Sequence, residues 1–157
     1  MRVLVAGATG AIGQPLVAAL SAHGHAVAGL TRDPSNADLL SRLGARALVA
    51  DVLDRDTTTA AVLDARPDVV VEQLTALPRS YTPEAMRATL AATSAVRTIG
   101  GDNVYAAAIA AGARRYVAQS GCYYYRPGEG LANESEPWAE HGPPLVAGGI
   151  GALTAVE

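Results

Sequence analysis

Short β-branched or apolar runs alternate along this chain with stretches whose apolar residues recur at helical spacing. Val3 to Val5 reads as a buried strand that feeds into glycines at Gly7, Gly10 and Gly13. Leu16, Val17 and Leu20 then fall on one helical face, with Pro15 tolerated in the first turn and Gly24 suited to end the helix. Ala26 to Leu30 predicts a second strand, closed by Thr31-Arg32-Asp33-Pro34. Leu39, Leu40 and Leu43 mark a short helix that stops at Gly44. A third strand is expected over Ala47–Ala50, a third helix over Thr57–Leu63 ended by Arg66-Pro67, and a fourth strand over Asp68–Glu72. Residues 73–82 read as a loop. The alanine-rich stretch from Glu84 to Ala111 is helical in propensity, with a soft spot at Gly100-Gly101 and Gly112 as its stop. Arg115–Gln119 is the fifth strand. Residues 127–144 read as loop and Leu145–Glu157 as a weak helix interrupted by glycines.

This alternation has βαβ spacing. It predicts an α/β fold of the Rossmann-like doubly wound class, a parallel sheet with helices on both faces. Right-handed crossovers and a glycine turn after the first strand favour strand order 3-2-1-4-5. A ligand then lies across the carboxyl ends of the strands, at the switch between strands one and four.

The glycine turn carries the first chemical signal. Strand, glycines and helix in that order form a site for a diphosphate. Glycines let backbone approach an anion without an intervening Cβ, and the helix start offers N–H groups and a favourable dipole. The spacing Gly7-x-x-Gly10-x-x-Gly13, with Thr9 between the glycines, differs from the Gly-x-Gly-x-x-Gly of the general dinucleotide fingerprint.

Composition narrows the function. The 157 residues suit one domain, and a net charge of −3 argues against a nucleic-acid partner. No apolar run is long enough to span a bilayer, and no secretory leader opens the chain. The single cysteine, Cys122, excludes an intrachain disulfide and favours a cytoplasmic setting. His23 and His25 read as helix-end surface residues, and no metal site is expected. All twelve basic residues are arginine, so no mechanism that needs a lysine can be assembled from these residues.

The segments Val5-Ala-Gly-Ala-Thr-Gly-Ala-Ile-Gly13, Gly29-Leu-Thr-Arg-Asp33, Asp51-Val52, Asp68-Val-Val-Val71 and Ala110-Ala-Gly-Ala-Arg-Arg-Tyr-Val117, leading into Gln119-Ser120, together carry a family resemblance. The chain resembles the short-chain dehydrogenase/reductase superfamily, in its extended and atypical branch of NAD-dependent epimerase/dehydratase-like proteins. The resemblance implies one NAD(P)-binding Rossmann domain over residues 1–157, with 127–157 standing where a fuller substrate lobe would begin. Gly7, Gly10 and Gly13 would form the pyrophosphate turn, with Ala11 and Ile12 supplying backbone beside it. Thr31 and Arg32 would meet the adenosine ribose. An arginine there suits a 2′-phosphate, so NADP is favoured, while Asp33 leaves NAD open. Asp51-Val52 matches the adenine contact, and the alternative for Asp51 is a cap on the following helix. Leu74, Thr75 and Ala76 match the backbone wall after strand four. Ser120 falls where the family places its catalytic serine; the alternative is a polar residue at a strand end. Tyr123, Tyr124 and Tyr125 follow, and Tyr124 resembles a structural tyrosine.

One part of the family pattern is missing. The acid/base tyrosine four residues before a lysine would align with Gly149 and Leu153. The residues also end inside what would be the family's next helix, leaving a sheet edge that a homodimer would cover. Three functions stay open: an atypical NAD(P)-dependent oxidoreductase or epimerase acting on an unidentified small molecule, a non-catalytic NADP-binding sensor or regulatory module, and a domain for another phosphorylated ligand such as a flavin.

Overall fold

A computed structural model describes residues 1–121, 125, 126, 128–137 and 139 of the chain. The readings made for Cys122, Tyr123, Tyr124, Gly149, Leu153 and the 145–157 helix lie outside these residues. Ten elements follow in order: β1 (Arg2–Ala6), α1 (Gly13–Ala22), β2 (Ala26–Thr31), a 3₁₀ turn (Pro34–Asn36), α2 (Ala37–Arg42), β3 (Ala45–Val49), α3 (Arg55–Ala65), β4 (Val69–Glu72), α4 (Pro83–Ala110) and β5 (Arg115–Ala118). The strands form one parallel sheet in the order β3-β2-β1-β4-β5. The expected fold class and strand order are both observed.

Side chains of β1 alternate between two apolar layers, as a strand buried on both faces requires. Val3 and Val5 pack with Val17 of α1 and Leu40 of α2, and Leu4 packs with Val62 of α3 and Val104 of α4. Leu4, Val5, Val17, Leu40, Val62 and Val104 are all fully buried, each stabilising the fold by about 1.5–3 kcal/mol. The register pairs Ala6 with both Leu30 and Glu72, so the carboxyl ends of the central strands meet along one edge. At the opposite edge, Asp68 receives the Arg2 backbone N–H at 2.8 Å and its guanidinium at 2.9 Å. The guanidinium bond, before all else, holds the Asp68 carboxyl down at about 2.

Three expectations are corrected. β3 runs over Ala45–Val49 rather than 47–50, because the chain turns at Gly44 straight into the sheet. α3 starts at Arg55 rather than Thr57, because the Asp54 carboxylate caps it, accepting from the N–H groups of Asp56 and Thr57. Gly100 and Gly101 are no soft spot. α4 runs unbroken through them, and both are buried where the helix meets the sheet edge. A Cβ on Gly100 would lie 2.8 Å from Val52 Cγ2, and one on Gly101 would lie 3.4 Å from both Glu72 carboxylate oxygens. Each glycine gives up about 1 kcal/mol of helix propensity relative to alanine and lets α4 approach Val52 and Glu72 closely.

Candidate functional site

Four strand ends build an open cleft of about 200 Å³. Gly7 and Thr9 follow β1; Leu30, Thr31 and Arg32 end β2; Ala50, Asp51 and Val52 follow β3; Leu74, Thr75 and Ala76 follow β4. Val96 of α4 closes one side. The cleft thus straddles β1 and β4, where the winding of the sheet reverses and loops part to either side.

The turn after β1 is folded on itself. Gly10 N–H donates to the Gly7 carbonyl at 3.1 Å, and Gln14 Nε2 donates to the Thr9 carbonyl at 2.8 Å. Gly7 sits at φ +84°, in the left-handed region that disfavours a side chain, and a Cβ there would overlap the Gln73 carbonyl. A Cβ on Gly13 would overlap the Gly7 carbonyl oxygen. The glycines therefore bring β1, β4 and the start of α1 closer than any other residue permits. Ile12 stands at the N-cap position of α1, no side chain caps the helix, and its first turn holds no acidic residue. A helix start of that kind keeps its dipole open to an anion, while the Gln14 N–H is taken by the Gly10 carbonyl at 3.1 Å and Pro15 has no N–H. Ala11 and Ile12 are exposed beside the turn.

At the β2 end, Thr31 is buried and its hydroxyl is engaged within the turn. Its Oγ1 accepts from the Asp33 N–H at 3.3 Å and from Asn36 Nδ2 at 3.2 Å. The Asp33 carboxylate accepts the Ser35 N–H at 2.9 Å, and hydrogen bonding from Ser35, its side chain first and its backbone N–H next, holds the Asp33 pKa below the usual range. Arg32 is exposed at the cleft wall; none of the ion pairs among the described residues includes it, and its charge acts on the neighbouring Asp33 carboxylate. At the β3 end, Asp51 Oδ1 accepts from the Leu53 N–H at 3.0 Å. The cap of α3 is Asp54, so the capping alternative for Asp51 does not hold.

Of the residues singled out from sequence, Gly7, Thr9, Thr31, Arg32, Asp51, Val52, Leu74, Thr75 and Ala76 line this one cleft. Gly10, Ala11, Ile12 and Gly13 shape the turn at its end without lining it. Ser120 lies two residues beyond β5, exposed, and outside the cleft lining. Leu30, Ala50 and Val96 were missed. Leu30 and Ala50 adjoin expected positions at strand ends, whereas Val96 sits in a helix with no local signal.

Residues 7–144 match the NAD(P)H-binding family. The chain belongs to that family. It is a member of the short-chain dehydrogenase/reductase superfamily in its epimerase/dehydratase-like branch, as the sequence resemblance implied. A curated relative, 3-diazoavenalumate denitrifying reductase from Streptomyces sp., is 51% identical over 140 residues, which are 87% of this chain and 43% of the relative. Thermus thermophilus UDP-glucose 4-epimerase, solved with NAD, is 25% identical at a TM-score of 0.75, covering 96% of this chain and 48% of that one. The Bordetella bronchiseptica enzyme WbmG, solved with NAD and UDP, has the same fold at a TM-score of 0.72 and 23% identity, covering 98% of this chain and 49% of that one. The NAD(P)H-binding chain thus spans less than half the length of each of these proteins. No helix among its described residues is long and apolar enough to cross a membrane. A nicotinamide dinucleotide is the family's ligand, and the glycine turn, the uncapped α1 start and the cleft fit one.

Proposed function

We propose that this chain is the NADP(H)-binding part of a reductase whose substrate carries a carbon-bound diazo group. The observation that carries the cofactor reading is the cleft, in which Arg32 stands exposed at the β2 end, outside the ion pairs found among the described residues. Asp33 is committed to the Ser35 N–H, and Thr31 replaces the acid that would pair with a free 2′-hydroxyl. A guanidinium with forked donors suits a 2′-phosphate. Gly7, Thr9, Gly10, Ala11, Ile12 and Gly13 would hold the pyrophosphate, Asp51 and Val52 the adenine, and Leu74, Thr75 and Ala76 the wall beside the nicotinamide ribose. The bound cofactor would supply hydride.

The substrate class follows from the 51% identical relative, named for a denitrifying reduction of a diazo compound. In such a reduction hydride bonds to the carbon, the carbon–nitrogen bond breaks, and its electron pair leaves with N₂. A cationic diazonium plus hydride gives a neutral product and N₂, and no oxyanion develops that an acid must protonate. The missing tyrosine–lysine pair is then no obstacle, because a general acid has no proton to deliver. Ser120, after β5, is the candidate to orient the substrate.

The test is a fluorescence titration of the chain with NADPH, NADH and FMN, followed by turnover assays with an aryl diazonium salt and with simple ketones. Tighter NADPH binding and diazonium-dependent NADPH oxidation with N₂ release support the proposal. Tighter FMN binding overturns the cofactor reading. NADPH binding without turnover of any substrate returns the chain to the sensor or regulatory reading.

A further inference from the structure

Asp51 and Val52 form the lip of the cleft between the end of β3 and α3; the Asp51 carboxylate accepts the Leu53 N–H and the Asp51 carbonyl the Asp54 N–H, and these local bonds leave the Val52 carbonyl to be held from elsewhere. Two helices supply further bonds. Thr58 of α3 is fully buried, and its Oγ1 donates to the Asp51 carbonyl at 3.0 Å. Asn103 of α4 is half-buried, and its Nδ2 donates to the Val52 carbonyl at 2.9 Å, across 51 residues of sequence. The two successive carbonyls of the lip are therefore clamped from two different helices. Gly100 completes the arrangement. It lies one turn from Asn103 on the same face of α4, and a Cβ there would stand 2.8 Å from Val52 Cγ2 and 3.6 Å from Leu74 Cδ1. Val96, one further turn back, lines the cleft itself. The face Val96, Gly100, Asn103 is thus a ruler that sets the distance between the β3 lip and the β4 wall.

We propose that Asn103 and Thr58 are positioning residues for the adenosine half of the dinucleotide, acting through the Asp51-Val52 backbone, and that Gly100 sets the width of the adenine slot. This rests on the dinucleotide reading of the cleft. None of the three residues is placed against the ligand. Their effect is on where the Asp51 carboxylate and the Val52 side chain stand. With either clamp broken, the lip carbonyl loses a partner and the lip gains conformations, so the bound arrangement is only fractionally populated and affinity falls in proportion.

The experiment compares three variants of the full 157-residue chain: Thr58→Val and Asn103→Leu, which keep side-chain volume and remove the donor, and Gly100→Ala, which narrows the slot. Each is titrated with NADPH and with adenosine 2′,5′-bisphosphate, and its thermal midpoint is measured. Each donor removal should weaken both ligands by about 5–10-fold, the equivalent of one ordinary hydrogen bond. Gly100→Ala separates positioning from general stability, since alanine favours helix yet displaces Val52. It should weaken both ligands by a similar factor while the thermal midpoint holds or rises. Variants that bind both ligands as tightly as the unaltered chain, or lose affinity only in step with a fall in thermal midpoint, overturn the inference alone. An unaltered chain that binds neither ligand overturns the dinucleotide reading and this inference together.

Discussion

The Tyr116 hydroxyl on β5 donates to Glu72 Oε2 at the carboxyl end of β4, 2.6 Å away. Glu72 is 5% exposed, packed against Gly101 of α4, and lies two residues before the Leu74–Ala76 segment that walls the cleft. Burial, above all, pushes its carboxyl up from the ordinary range, while the Tyr116 hydrogen bond and the charge of Arg97 oppose that shift and Asp102 adds to it. Burial likewise raises the Tyr116 phenol, with the Glu72 hydrogen bond next.

The first prediction concerns this pair. A carboxyl whose pKa is higher folded than unfolded binds more protons in the native state. Its contribution to stability is full below the ordinary value of 4.5 and is lost as pH rises through the raised folded value. Urea denaturation across this range should show the unaltered chain losing stability relative to Glu72→Gln as pH increases from 4.5 towards neutrality. Parallel curves for the two proteins would show that Glu72 does not titrate in this way.

The second concerns the glycine turn. Gly7→Ala forces a side chain into the left-handed region, costing about 1–2 kcal/mol from backbone sterics alone, and adds overlap with the Gln73 carbonyl. Gly13→Ala adds only the overlap with Gly7 and the Ala8 backbone. Both should lower the thermal midpoint and weaken NADPH by more than tenfold, given that a shift of about 1.4 kcal/mol is tenfold. Unchanged NADPH affinity in both would remove the turn from the binding site.

The third separates the two nicotinamide cofactors. Arg32→Ala should weaken NADPH by about 1–3 kcal/mol, the range of a charge-assisted hydrogen bond, and leave NADH nearly unchanged. Equal losses for both, or tighter NADH binding in the unaltered chain, defeat the NADP assignment.

The fourth concerns turnover. Ketones and alcohols need a general acid or base worth about 10²–10⁴ in rate, and these residues contain no lysine to assist a tyrosine. Their reduction should be weak or absent, while a diazonium salt, which needs no proton, should be reduced faster. Ser120→Ala should slow that reaction if Ser120 orients the substrate. Equal turnover with and without the Ser120 hydroxyl places substrate orientation in other residues.

The strand order and the position of the cleft were legible in the sequence because both depend on local patterns. A β-branched run such as Val3–Val5 buries both faces, and a strand that ends in Gly7-x-x-Gly10-x-x-Gly13 can only turn tightly into a helix. Thr31-Arg32, Asp51-Val52 and Leu74–Ala76 came from the family resemblance, which sets them at or just beyond strand ends, and the parallel register gathers those positions at one edge. Strand and helix limits were less legible. Asp54 captured the start of α3 through a cap that competed with Asp51 for the same role.

What only the tertiary structure decided are the relations between residues far apart in the chain. Gly100-Gly101 reads locally as a weakness in a helix, yet it is the place where α4 lies against Val52 and Glu72. Val96, Asn103 and Thr58 have ordinary helical surroundings in the sequence, and their places beside the cleft and its Asp51-Val52 lip come from how α3 and α4 pack. Glu72 looks like a strand-end carboxylate, and its burial beside Tyr116 depends on β5 pairing with β4. Local pattern determines which backbone shapes are available, because sterics and burial act over a few residues. Long-range packing determines which side chains those shapes bring within reach, because a hydrogen bond across 51 residues has no local signature.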